Sequence, residues 1–156
     1  MQTADEYKPQ YEIPETVKDT GADYVHTKAH QAAYDFSVYL HDKMKKLPHY
    51  EKFTLQKEIR DAIDLILDEI EQYEITKVIS HLYAADRAKR RLMRKLRTCY
   101  DLKYSAINEN VLFYCAGQCA IIGKLIGGLI GEAKERKQGG AANCNTEWQS
   151  KTSKAR

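Results

Sequence analysis

Apolar residues along this chain recur at three- and four-residue steps over most of its length, and no segment keeps the period of two that marks a strand. Ala33, Phe36, Leu40, Met44 and Leu47 form one face of a first helix. It begins near Thr27 and ends at Pro48, because the residue ahead of a proline is pushed away from α geometry. Leu55, Ile59, Ile63, Ile66, Ile70 and Tyr73 form the face of a second helix, with Thr54 placed to cap it. Glu74-Ile75-Thr76 is the break before the third run. It holds neither Gly nor Pro, which predicts a tight link or nearly continuous helices, with Thr76 as a candidate cap. The third helix carries Val78, Leu82, Ala85, Leu92, Leu96 and Cys99 and should end near Asp101. The fourth begins after Ser105, carries Ile107, Val111, Tyr114, Ile121, Leu125 and Leu129, and should stop at Gly139-Gly140.

Amphipathic helices joined by short links bury their apolar stripes most simply against one another. The expected fold is therefore all-α, an antiparallel up-and-down four-helix bundle over residues 27–138 with flexible N- and C-terminal tails. Residues 1–26 hold Pro9, Pro14 and Gly21 among charges without a sustained period, and read as a flexible or loosely docked arm. Residues 139–156 are small, polar and weakly basic, and read as a disordered tail.

Composition changes this picture little. A chain of 156 residues, 43% hydrophobic, suffices for one domain with one core, and a net charge of +3 does not by itself suggest a polyanion partner. Cys99, Cys115, Cys119 and Cys144 fit neither a zinc module nor a disulfide framework, which points to reduced thiols and a cytoplasmic protein. The polar, acidic stretch from Met1 to Pro14 does not resemble a signal peptide. The apolar stretch Cys115 to Ile130 is interrupted by Gln118 and Lys124, so no membrane span is expected.

The distribution of charge matters more than its sum. Arg87, Lys89, Arg90, Arg91, Arg94, Lys95 and Arg97 follow one another without an acid between them, bracketed by Asp86 and Asp101. At about 100° per residue, with Val78 at zero, the apolar residues of this helix lie within roughly 60° of the origin. Arg87, Arg90, Arg91, Arg94, Lys95 and Arg97 occupy the opposite arc, from roughly 100° to 260°. Lys89, at roughly 20°, points toward the apolar stripe instead. Two explanations stand side by side. The bases pair with the acids of the second helix (Asp61, Asp64, Asp68, Glu69, Glu71), within the bundle or across an oligomer interface, or they contact the phosphates of a nucleic acid. No aromatic residue interleaves the arginines, so backbone contact is expected rather than stacking on bases.

Gly123, Gly127 and Gly131 repeat every fourth residue in the fourth helix, with Gly128 beside them. Glycine inside a helix costs about 1 kcal/mol relative to alanine, so the repeat predicts close approach of another helix, within the bundle or from a second subunit. With Lys89 these glycines are the candidate packing residues. His26 and His30 stand four apart, but spacing offers no third ligand, and no metal or other cofactor is expected. Cys115 and Cys119 share a face and should be buried small residues. No catalytic triad order, phosphate-binding glycine loop or zinc-hydrolase motif is present, so the expectation is a binding protein rather than an enzyme.

Three segments carry a family resemblance. Leu47 to Arg60, LPHYEKFTLQKEIR, resembles the opening of the second helix in four-helix-bundle proteins encoded within intervening sequences of large-subunit ribosomal RNA. His81 to Asp86, HLYAAD, and Ile122 to Ile130, IGKLIGGLI, look like segments of the accessory variability determinant of diversity-generating retroelements. The resemblance spans roughly residues 30 to 135. It implies a non-catalytic, basic, barrel-like homopentamer that binds nucleic acid and associates with the retroelement reverse transcriptase during mutagenic copying of template RNA into cDNA. It would give the bases after Asp86 to RNA, DNA or polymerase, and the segment Gly123–Gly131 to packing within the subunit or ring. The longer N-terminal arm and the denser arginine run depart from that pattern. An alternative is an oligomeric scaffold of the intervening-sequence type without a polymerase partner.

Overall fold

The computed structural model describes residues 26–152, with side chains placed through Gly139. All but the last residue of the N-terminal arm, and residues 153–156 of the tail, lie outside the described residues. Among the described residues four helices account for the fold: α1 (Lys28–Met44), α2 (Leu55–Thr76), α3 (Ile79–Asp101) and α4 (Glu109–Thr152), with one turn of 3-10 helix at His49–Glu51. Each packs on its neighbours in chain order and α1 closes on α4, while the backbones of the diagonal pairs stay more than 8 Å apart. This is the adjacency of an up-and-down four-helix bundle.

The stripes expected for α1 and α2 are buried residue for residue: Ala33, Phe36, Leu40, Met44 and Leu47, then Leu55, Ile59, Ile63, Ile66, Ile70 and Tyr73. Leu82, Leu92 and Leu96 of α3 and Ile122 and Ile126 of α4 complete the interior. Burial of each Leu or Ile contributes roughly 1.5–3 kcal/mol. In α4 the seam lies one position away from the expected one. Cys115, Cys119, Ile122 and Ile126 are buried, whereas Tyr114 is exposed and Ile121, Leu125 and Leu129 are only half-buried. Apolar residues occur all round this helix, so its periodicity is too shallow to fix the face.

The helix ends differ from expectation in instructive ways. Thr27 caps α1, its hydroxyl accepting from the His30 amide at 3.3 Å. Thr54 holds the cap position of α2 but makes no capping bond there. The Glu51 carboxylate takes that role, accepting from the Leu55 amide at 3.3 Å and from the Thr54 hydroxyl. Thr76 belongs to the last turn of α2, donating to the Gln72 carbonyl at 2.7 Å, and Val78 is the cap residue of α3. The chain reverses at Lys77, which is left-handed with φ 57°. A glycine would have marked this turn in the sequence; a lysine does not.

The fourth helix does not stop at Gly139-Gly140. It continues to Thr152 and spans 44 residues, roughly 66 Å at 1.5 Å per residue, about twice the length of α3. The stretch Glu109–Gly139 is long and apolar enough to cross a membrane by length and composition, and 22% of its most apolar window is buried in the bundle.

Candidate nucleic-acid interface

The basic face is set by α3, whose inner stripe of Leu82, Ala85, Ala88, Leu92, Leu96 and Cys99 fixes the rotation of the helix. With that stripe inward, Arg87, Arg90, Arg91, Arg94 and Arg97 are exposed and Lys95 is half-buried. The acids of α2 reach only one member of the set. Lys95 Nζ lies 2.6 Å from Glu58 Oε2, at the edge where α3 meets α2. Arg90 pairs with Asp86 of its own helix at 2.9 Å, and Arg97 approaches Asp101 at 3.9 Å. Their side chains are 78% and 76% exposed, and exposed pairs at this spacing contribute only about 0.3–0.5 kcal/mol.

Arg87, Arg91 and Arg94 have no ion pair among the described residues. They sit at roughly 180°, 220° and 160° on the helical projection, the centre of the arc. Pairing within the bundle therefore accounts for Lys95 and leaves the middle of the face uncompensated. Tyr83, one turn ahead of Arg87, is 41% exposed at roughly 140°. It places a phenol at the head of the stripe, a feature the arginine-centred reading of the sequence overlooked although HLYAAD contains it.

Lys89 points inward as the projection requires. Its side chain is 18% exposed, and its ammonium donates to Asp86 at 2.8 Å. That hydrogen bond, with Arg90 nearby, holds the Asp86 carboxyl below its ordinary range despite partial burial. The same ammonium fills the notch over Gly123, where an added Cβ would fall 2.4 Å from Nζ. Lys89 and Gly123 thus form a contact between α3 and α4. Gly127, Gly128 and Gly131 differ: an added Cβ at any of them meets nothing within 4 Å. Close approach of a helix from the same chain does not explain these glycines. They continue an exposed strip that runs through Phe113, Gly117, Ala120 and Lys124, with Phe113 83% exposed.

The buried thiols offer no reactive group. Burial pushes Cys99 and Cys119 up to about 11 and Cys115 up to about 12, so none carries appreciable thiolate at neutral pH. The fold and this face define an all-α bundle with a basic helix on its surface. No family model, curated protein or solved structure matches the chain.

Proposed function

We propose that this protein is a non-catalytic accessory factor of a diversity-generating retroelement, binding the reverse transcriptase and its template RNA or cDNA through α3. The observation that carries the binding half of this reading is the trio Arg87, Arg91 and Arg94, exposed and uncompensated at the centre of one helix face. Guanidinium groups so placed suit phosphate oxygens. The retroelement half rests on the resemblance of HLYAAD and IGKLIGGLI. In this reading the protein is cytoplasmic, and the exposed apolar strip of α4 is covered by further copies of the chain, in a homopentamer, rather than by lipid.

Co-purification with a retroelement reverse transcriptase, and with that enzyme's RNA, tests the proposal. Charge reversal at Arg91 and Arg94 should abolish RNA retention while leaving the chain helical; retention by the reversed variant would overturn the assignment of the face. A second reading, an oligomeric scaffold without a polymerase partner, draws on the same exposed strip of α4. It predicts assembly without any association with the polymerase.

A further inference from the structure

Two histidines at the start of α1 and two glutamates in the last turns of α2 meet across the α1–α2 interface. His26 and His30 stand on either side of the α1 cap, their rings stacked with centroids 3.9 Å apart and planes 10° from parallel. His30 Nε2 lies 2.8 Å from a Glu71 carboxylate oxygen, and His26 Nδ1 lies 3.1 Å from Glu74 Oε2. Glu74 is buried, its side chain 4% exposed, and its other oxygen accepts from the Thr27 amide at 2.7 Å. One donor atom from each of His26, His30 and Glu71 lies within 4.8 Å of the other two.

We propose that His26, His30 and Glu71 form a binding site for a divalent first-row metal ion of the zinc type, with Glu74 as the residue that orients His26. The donor set, two imidazoles and a carboxylate, suits Zn2+ and its neighbours rather than calcium or magnesium, which prefer oxygen ligands throughout. A carboxylate on one ring nitrogen fixes the tautomer and directs the other nitrogen to the metal, and the Glu74 contact with Nδ1 supplies that arrangement for His26. With neutral imidazoles the cluster carries the charge of two carboxylates, which favours a cation between them. Ligation would tilt the rings out of parallel so that their lone pairs converge, and would draw the donors to roughly 3.4 Å from one another, as bond lengths of about 2.1 Å at a tetrahedral ion require. The three protein ligands leave one position for water. The ion would join the residue that precedes the α1 cap to the last turns of α2, two elements 41 residues or more apart in sequence.

The site is tested on the full chain with Zn2+ and Co2+ as probes. At pH 7.5 calorimetry should give one Zn2+ per chain, and thermal midpoint should rise with free Zn2+ above the dissociation constant. Co2+ should give ligand-field absorption without the charge-transfer band of a thiolate, which separates this site from the cysteines. His26→Gln and Glu71→Gln alter half-exposed side chains, so both variants should fold, and each should weaken Zn2+ binding at least tenfold. Acidification should release the ion, because imidazole and carboxylate bind a metal only when deprotonated. Absence of uptake by the parent chain, uptake unchanged in both variants, or thiolate absorption with Co2+ would each overturn the proposal.

Discussion

Lys95 of α3 reaches Glu58 of α2 at 2.6 Å, among the described residues the one ion pair of a lysine or arginine between the acidic helix and the basic helix. Every other base of the face is either bound to an acid of its own helix or unpaired among the described residues. The division separates the residues that hold the bundle together from those available to a ligand.

The available charge sets the salt dependence of binding. Reading the stripe from sequence, with about five arginines neutralising phosphates, gives a slope of log affinity against log salt near −4 to −5 for duplex DNA. The structure leaves Arg87, Arg91 and Arg94 uncompensated, so the slope per protomer should be about −3. Replacing Arg91 and Arg94 together by Glu should flatten it to near −1. Replacing Lys95 by Ala should leave the slope unchanged and lower the thermal midpoint instead.

The glycines of α4 separate stability from assembly. Gly127→Leu meets open space within the chain, so the protomer should lose no stability and should gain some from better helix propensity. If copies of the chain pack on this strip, light scattering should report a smaller particle for the variant than for the parent. An unchanged particle would place the assembly surface elsewhere.

Glu51 joins two loops at one end of the bundle, accepting from Thr54, from the Leu55 amide and, at 2.7 Å, from the Tyr104 hydroxyl. These bonds, that of Thr54 foremost, lower its carboxyl below the ordinary value of 4.5, while the Tyr104 phenol is pushed up. A depressed carboxyl stabilises the fold above the unfolded-state value and ceases to do so as pH falls through the folded-state value. The parent chain should therefore melt above Glu51→Gln at pH 6 to 8, and the gap should close as pH falls below 4.5. A gap that is constant with pH would show that the carboxylate's charge is immaterial.

Cys99, Cys115 and Cys119 are buried, with thiols raised by burial. They should resist alkylation at pH 8 in the native chain and react fully after unfolding, as mass spectrometry would show. Fast native labelling at any of them would place that residue at the surface.

Much of this was legible in the residue pattern because strict alternation of faces constrains rotation. In α1, α2 and α3 the polar residues on one side leave a single inward solution, and Lys89 could be recognised as the inward base from its angle alone. In α4 the apolar residues surround the helix, so Tyr114 and Cys115 compete for the seam and the sequence cannot rank them. Caps were less legible, since Glu51 supplants Thr54 from three residues away and Lys77 turns the chain without a glycine. Glu71 was hidden from His26 and His30 altogether, because contacts across 41 residues leave no local trace.

Arg87 and Arg94 are seven residues apart, roughly 10 Å along the helix axis, so under the proposed function one protomer would reach only a few consecutive phosphates. Such a grip is weak and short-lived at physiological salt. Copies held in one assembly turn each subsequent contact into an intramolecular one at high effective concentration, and the combined hold can exceed the single one by orders of magnitude without any new contact. Avidity would then make the tightness of binding a readout of how many copies have assembled.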